Sequence, residues 1–182
     1  MWAKIKTTLW EIVKFVVIVL IVVIPIRTYI AQPFIVSGAS MDPTFHNNEY
    51  LIIDELSYRF HEPARGEVIV FRYPKVPKTH FIKRIIGLPN ETIRIAGNVV
   101  TILTKNGSTE TEIVLTEDYV KVPFQANYVK TLGADEYFVM GDNRPVSLDS
   151  RAWGPLPRKF ITGRVLFRLF PFQNIAYLPG HD

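Results

Sequence analysis

An uninterrupted apolar run near the N-terminus most constrains how this 182-residue chain can fold. Residues 15–26 contain no polar or charged side chain, so a helix built from them has no polar face. Trp10 and Tyr29 flank the run and would lie ~28 Å apart along a helix that rises about 1.5 Å per residue. This spacing places one aromatic residue at each interface of a hydrocarbon core that is ~30 Å thick. The sequence therefore predicts a transmembrane anchor over residues 9–30.

Two other interpretations of this segment stay open at the level of sequence. A cleaved secretory leader has the same general form, although no small-x-small cleavage site follows the apolar run. A buried core helix is the other alternative. Lys4 and Lys6 precede the run and Arg27 alone follows it, which favours a cytoplasmic N-terminus. We expect residues 1–8 in the cytoplasm and residues 31–182 on the outer, extracytoplasmic face of the cell membrane, joined by a single span.

From Gln32 onward, short β-rich runs alternate with turns, which predicts a mainly β domain. No helical pattern separates these runs, so we expect antiparallel sheets or a distorted barrel. Asn106-Gly107 is a strong hairpin signal and predicts a hairpin within residues 98–115. The stretch from about Thr116 to Gly133 is polar and weakly periodic, which is typical of an insertion or a flexible excursion. We therefore predict a small β insertion subdomain over residues 97–133.

The composition excludes several kinds of chemistry. The chain has no cysteine, so disulfides, thiolate catalysis and cysteine-based metal sites are excluded. Its net charge of +4 is spread thinly and no basic block occurs, which gives little support for nucleic-acid binding. The chain contains no His-Glu-x-x-His motif and no Gly-x-Ser-x-Gly motif. We expect neither a metal ion nor a cofactor.

A serine on a turn follows the apolar segment closely. Ser40 lies in the run Ser37-Gly38-Ala39-Ser40-Met41-Asp42-Pro43-Thr44, which exposes a hydroxyl but is also compatible with an ordinary loop. None of the four histidines lies in a recognisable catalytic context, and we expect His80 to point away from Ser40. Lys83 is the remaining activator, in the apolar run of residues 81–86. It is either a solvated lysine on an edge strand or a desolvated base whose pKa has fallen by about three units.

A third group of polar residues lies in residues 141–151, where two acids, two arginines, two serines and an asparagine follow a predicted strand. As structure, this stretch is a loop held by Asp–Arg pairs and by bonds between side chains and backbone. As chemistry, Ser147 could hydrogen-bond a neutral lysine amine and orient it.

These segments, in this order, resemble the bacterial type I signal peptidases. The resemblance covers nearly the whole chain except roughly residues 97–133. Glycine at position 38, the compact size and the single anchor resemble the Gram-positive, Bacillus-like subgroup. The motifs that carry the likeness are the anchor, Ser40-Met41-Asp42-Pro43-Thr44, residues 65–74, residues 83–89 and residues 141–151.

The resemblance implies a membrane-anchored endopeptidase with a Ser/Lys dyad that removes signal peptides from exported preproteins with Ala-x-Ala-type cleavage sites, near an export translocon. Ser40 would be the nucleophile and would supply an oxyanion donor through its backbone N–H, and Lys83 would be the general base. Ser147 would position the lysine. Residues expected to hold the last loop together are Asp142, Arg144, Asp149 and Arg151, and residues expected to line the substrate pockets are Phe34, Val36, Phe81 and Ile82.

Gly38 departs from the pattern of many Gram-negative members, which carry a serine there whose hydroxyl contributes to the oxyanion hole. We expect a backbone amide or a water molecule to substitute for it. Two rival functions are weighed against the peptidase. A self-cleaving repressor-type peptidase has a similar dyad but carries a DNA-binding domain in front of it. A catalytically silent, membrane-anchored protein that presents precursors belongs to a different class.

Overall fold

The N-terminal helix precedes a body that is built mainly of strands. The structure, a computed structural model, describes residues 2–25, 31–106 and 109–180. Helix α1 (Trp2–Pro25) exposes its side chains from Trp10 to Ile21. Within the described residues, no helix combines the length and the apolar character needed to cross a membrane. Arg27 and Tyr29, on which the anchor prediction partly rests, lie outside the described residues.

The mainly β class predicted from the sequence is confirmed. Besides α1 and the short helix α2 (Ser150–Trp153), the regular elements are mostly strands. In chain order they are β1 (Ala31–Ile35), β2 (Tyr50–Asp54), β3 (Val68–Arg72), β4 (His80–Gly87), β5 (Thr92–Gly97), β6 (Val99–Asn106), β7 (Thr109–Val114), β8 (Ala126–Thr131), β9 (Glu136–Met140), β10 (Leu156–Pro157), β11 (Ile161–Phe170) and β12 (Ala176–Tyr177).

The strands form two sheets, and the strand pairs within them are antiparallel, as the sequence predicts. The larger sheet has the order β1-β2-β11-β3-β4-β9-β10, with β12 paired to β11. The smaller sheet has the order β7-β6-β5-β8. Strand β4 lies between β3 and β9, so its residues are held by the interior of the larger sheet.

The smaller sheet differs in extent from the predicted insertion. It begins with β5, before residue 97, and its β6–β7 hairpin pairs Asn106 with Thr109, while Gly107 lies outside the described residues. Residues 126–131 form β8, which pairs with β5 along its whole length. The sequence gives β8 a weak signal because most of its side chains are exposed, so it lacks a fully apolar face.

Buried apolar side chains form three clusters around β3 and β4. One cluster lies beneath the serine turn, one between the two sheets, and one on the opposite face of β3 and β4. Because β4 contributes to all three, its residues from Lys83 to Gly87 are buried on both faces, and the charged side chains of Lys83 and Arg84 are buried with them. The cluster beneath the serine turn contains Val36, Met41, Phe45, Leu51, Ile53, Val68, Val70 and Val165.

Candidate active site

The serine loop, residues 37–44, is shaped by one glycine and anchored by two apolar side chains. Gly38 has a φ of 92°, in the left-handed region that glycine adopts most easily, and its N–H donates to Oδ1 of Asn47 at 2.9 Å. Met41 and Phe45 are buried beneath the loop, and the Phe45 N–H donates to the Met41 carbonyl at 2.9 Å. Met41 is anchored in the core, and the preceding Ser40 is half-buried.

Lys83 approaches this serine from β4. Its side chain is 3% exposed, and its Nζ lies 2.6 Å from Oγ of Ser40 and 2.8 Å from the Ile82 carbonyl oxygen. Burial lowers the pKa of Lys83 to about 8, although the charges of Asp149 and Asp142 act in the opposite direction. An amine with a pKa of about 8 is neutral in about one molecule in ten at pH 7, and this neutral form can accept the serine proton.

The arginine loop, residues 141–151, packs against the backbone of the serine loop. A Cβ atom added at Gly141 would overlap the Ser40 carbonyl oxygen and the Ser147 hydroxyl, so only glycine fits there. Asn143 donates its N–H to the Ser40 carbonyl at 3.1 Å and its Nδ2 to the Ala39 carbonyl at 3.0 Å. The sequence does not indicate this role of Asn143, because no local pattern shows which backbone its side chain contacts.

Ser147 lies in the arginine loop next to this contact. Its Oγ accepts a hydrogen bond from the Gly141 N–H at 3.1 Å. Among the described residues, no hydrogen bond joins Ser147 to Lys83, so the lysine-positioning role of Ser147 stays a prediction.

Asp142 joins the arginine loop to β4 and to the serine loop through one buried carboxylate. Arg84 donates Nε to Oδ1 at 2.9 Å and Nη2 to Oδ2 at 2.7 Å, and the two side chains are 2% and 1% exposed. Oδ2 also accepts from the Thr44 hydroxyl at 2.6 Å. Arg84 further donates to the carbonyls of Gly66 and Gly180. The sequence predicted a structural role for Asp142 but did not identify its arginine partner.

The other three residues predicted to hold the loop contact one another. Arg151 forms two hydrogen bonds with the carboxylate of Asp149, each 2.8 Å long, and donates Nη2 to the Arg144 carbonyl at 2.6 Å. Arg144 donates Nε to the Gly141 carbonyl at 3.0 Å. Asp149 also accepts from the Gly141 N–H at 3.2 Å and from the Arg151 N–H at the start of α2. These contacts fix the course of the loop beside Ser40.

A groove of about 410 Å³ leads to the Ser40–Lys83 pair. The wall contains all four residues predicted to line substrate pockets, Phe34, Val36, Phe81 and Ile82. His80 lies in the same wall, with its ring 5.3 Å from that of Phe34. That its ring points away from Ser40 stays a prediction. The strand signal around residue 81 did not show that β4 extends to His80 along the groove. Further apolar lining residues are Leu51, Val70, Val146 and Leu148.

Unpaired strand edges border this groove. One edge of β1 pairs with β2. Residues 80–83 of β4 pair with β3 on one edge, and the pairing of the other edge with β9 begins only at Arg84. Within the described chain, the other edge of each of these segments has no strand partner. An extended peptide can add to such an edge through main-chain hydrogen bonds.

The Ser40 N–H has no acceptor among the described residues, whereas the Gly38 N–H is already bonded to Asn47. A free N–H on the residue that carries a candidate nucleophile is the kind of donor that stabilises a developing oxyanion.

Comparisons with known proteins identify the family. Residues 9–170 match the family described as signal peptidase, peptidase S26. The chain belongs to this family. It is 38% identical to a probable signal peptidase I-2 of Synechocystis sp., over 95% of this chain and 78% of the relative. It is 34% identical to a signal peptidase I of Bacillus licheniformis, over 93% of each chain.

The family predicted from the sequence is thereby confirmed, and Bacillus proteins are among its relatives. A solved structure of a signal peptidase I from Enterococcus faecalis V583 covers 57% of this chain and 97% of its own, with 29% identity and a TM-score of 0.48. This S26 peptidase is thus a serine peptidase, a hydrolase of the kind that cleaves signal peptides.

Proposed function

We propose that this peptidase cleaves signal peptides from exported preproteins with a dyad of Ser40 and Lys83. The observation that carries the proposal is the 2.6 Å hydrogen bond between Nζ of Lys83 and Oγ of Ser40 at the end of an apolar groove. Burial of the amine supports the assignment of Lys83 as the base, because desolvation disfavours its charged form.

The reaction begins when neutral Lys83 takes the hydroxyl proton of Ser40, whose oxygen attacks the carbonyl carbon of the last signal-peptide residue. The Ser40 N–H donates to the resulting oxyanion. The protonated Lys83 then gives its proton to the leaving amine, and the peptide bond breaks. Lys83, neutral again, activates a water molecule that releases the acyl group from Ser40.

The groove suits an extended substrate segment with small side chains one and three positions before the cleaved bond. Phe34, Val36, Phe81 and Ile82 line this groove, and in the proposal they accept the small side chains of an Ala-x-Ala-type site. The segment from Phe34 to Ser37 pairs with the substrate backbone as an added strand.

We further propose that residues 9–30 anchor the enzyme in the cell membrane, with residues 1–8 in the cytoplasm and residues 31–182 on the outer face. The apolar run of residues 15–26 and the exposed side chains of α1 support this topology. The lipid bilayer and an export translocon are then its neighbours, and emerging preproteins are its substrates.

Cleavage of a model preprotein by the full chain in detergent micelles tests the dyad. We expect Ser40→Ala and Lys83→Ala to retain the circular dichroism of the wild type and to process no Ala-x-Ala precursor. Lys75→Ala, at an exposed lysine, is the matched control and should leave the rate unchanged. Near-normal processing by either dyad variant would overturn the proposal.

A second variant addresses Ser147. Ser147→Ala should lower the cleavage rate less than either dyad substitution, because it removes an orienting hydroxyl and leaves nucleophile and base in place. A well-folded Ser147→Ala enzyme as inactive as Lys83→Ala would assign Ser147 a larger part in the chemistry.

A further inference from the structure

Three side chains from one segment of the smaller sheet contact the arginines that surround the active site. The segment is the β7–β8 connection, residues 115–125, for which the family motifs give no role. The three side chains, at positions 117, 119 and 124, make four contacts with arginines. Glu117 binds Arg144, Tyr119 lies against Arg84, and Phe124 lies against Arg144 and Arg151.

The contact between Glu117 and Arg144 is a buried ion pair. The two terminal guanidinium nitrogens of Arg144, Nη1 and Nη2, donate to the two carboxylate oxygens of Glu117 at 2.9 and 2.5 Å. The Arg144 side chain is fully buried and that of Glu117 is 9% exposed. A buried guanidinium needs a partner of opposite charge, since an unpaired buried charge is strongly destabilising. Glu117 therefore determines where the Arg144 side chain lies.

Arg144 passes this constraint to the backbone around Ser40. Its Nε donates to the Gly141 carbonyl, and Gly141 packs so closely on the Ser40 carbonyl that no Cβ fits between them. Asn143, between Gly141 and Arg144, donates its N–H to the same Ser40 carbonyl. A change in the position of Arg144 is thus transmitted to Ser40 through direct contacts.

Tyr119 provides a second, parallel connection. The Arg84 guanidinium lies 3.9 Å from the centre of the Tyr119 ring, and the Tyr119 hydroxyl donates to Oε1 of Glu117 at 2.8 Å. Arg84 in turn binds Asp142 through two hydrogen bonds. The ring can hold the guanidinium by cation–π attraction and by van der Waals contact.

We propose that Glu117 is a positioning residue for the peptidase reaction, acting through Arg144 on the turn that holds Ser40, and that Tyr119 supports it through Arg84. The β7–β8 connection is then a part of the catalytic machinery that the smaller sheet supplies. This inference rests on the proposed dyad of Ser40 and Lys83.

The principal test compares Glu117→Gln with Glu112→Gln in the full chain in detergent micelles. Glu112 lies in the same sheet, but its ion pair with Arg94 is exposed. We expect Glu117→Gln to lower kcat per folded molecule by about tenfold or more, because small displacements of reacting groups are costly. Its KM should stay within about threefold, since Glu117 does not line the substrate groove. Glu112→Gln should match the wild type in both constants.

The pH profile separates positioning from a loss of stability alone. Lys83 is faced by Asp142 and Asp149 of the arginine loop and by the Ser40 hydroxyl. If the loop loosens and water reaches Lys83, burial decreases and the lysine pKa rises. The pH at which kcat/KM is half-maximal should then increase in Glu117→Gln and stay constant in Glu112→Gln.

Tyr119 gives a pair of variants that does not depend on the folding of Glu117→Gln. Tyr119→Phe keeps the ring over Arg84 and should stay within about threefold of the wild-type kcat. Tyr119→Leu removes the ring and should lower kcat further, with an unchanged KM. If Glu117→Gln does not fold, equal kcat values for the two Tyr119 variants overturn the inference.

A folded Glu117→Gln enzyme with wild-type kcat and pH profile also overturns it. So does a variant that is less stable but has normal kcat per folded molecule. Ser40→Ala distinguishes these results from failure of the proposed function. If Ser40→Ala still cleaves, the dyad is wrong. If Ser40→Ala is inactive while Glu117→Gln is normal, only the positioning role is wrong.

Discussion

The two sheets use the same kind of ion pair in opposite environments. In the larger sheet, Arg84 and Asp142 are 2% and 1% exposed and form two parallel hydrogen bonds. In the smaller sheet, Arg94 and Glu112 are 43% and 51% exposed. A buried pair is costly to break because the remaining charge has no solvent, whereas an exposed pair contributes little. Burial, and not the presence of an ion pair, decides how much structure depends on it.

The difference extends to the strands themselves. β3 and β4 are buried along most of their length and carry Lys83, while β7 is exposed at every position and β8 at most. The larger sheet is therefore the buried frame of the candidate site. The smaller sheet reaches that site through the β7–β8 connection, where Glu117 and Phe124 contact the buried Arg144.

The largest effect is expected when the buried pair is broken. Asp142→Asn preserves the shape of the side chain and leaves the Arg84 charge unpaired, so the free energy of unfolding should fall by about 3–5 kcal/mol. Chaotrope denaturation of the full chain in micelles, followed by circular dichroism, measures it. A loss below about 1 kcal/mol would show that the buried ion pair contributes no more to stability than an exposed pair does.

A lysine in each sheet provides the next test. Lys83→Met should stabilise the protein at pH 7 by up to about 3 kcal/mol while abolishing activity, because burial lowers the lysine pKa from 10.5 to about 8. Below pH 8 both folded and unfolded lysine are protonated, so the folded wild type bears the whole penalty. The penalty decreases as the pH rises from 8 to 10.5 and is absent above.

The matched control is Lys130→Met on the exposed strand β8, whose stability change should show no such pH dependence. Unfolding curves for both variants between pH 6 and pH 11 measure the difference. A stabilisation by Lys83→Met that is the same at both ends of this range would contradict a depressed pKa for Lys83.

Asn143→Ala should have an intermediate effect. The substitution removes the Nδ2 bond to the Ala39 carbonyl and keeps the backbone bond to Ser40, so stability should fall by about 1 kcal/mol. The kcat should fall by about tenfold because the serine loop is less well positioned. Asn127→Ala, on an exposed position of β8, should change neither quantity. Equal kcat values for the two variants would remove Asn143 from the positioning of Ser40.

The smallest effect belongs to the exposed pair. Glu112→Gln should lower the free energy of unfolding by no more than about 0.5 kcal/mol. Most of that change should disappear at 1 M salt, where the screening length is about 3 Å. A salt-independent loss above about 1 kcal/mol would mean that the smaller sheet depends on this pair as the larger sheet depends on Arg84 and Asp142.

Local sequence signals were sufficient for much of the fold. The alternation of β runs and turns predicted antiparallel strands, and Asn106-Gly107 predicted the β6–β7 hairpin. The alternation of polar and apolar residues was too weak to predict β8, because a strand with most of its side chains in solvent needs no apolar face.

The candidate site also has features that the sequence determined and features that only the tertiary structure decided. The sequence by itself determined which residue types are present, which chemistries are impossible, and which serine and lysine are the candidates, because these depend on composition and short motifs. Only the tertiary structure decided which partners meet. The contacts of Lys83 with Ser40, of Arg84 with Asp142 and of Glu117 with Arg144 join residues 43, 58 and 27 positions apart. Such contacts depend on strand register and on the packing of whole sheets, which no local pattern encodes.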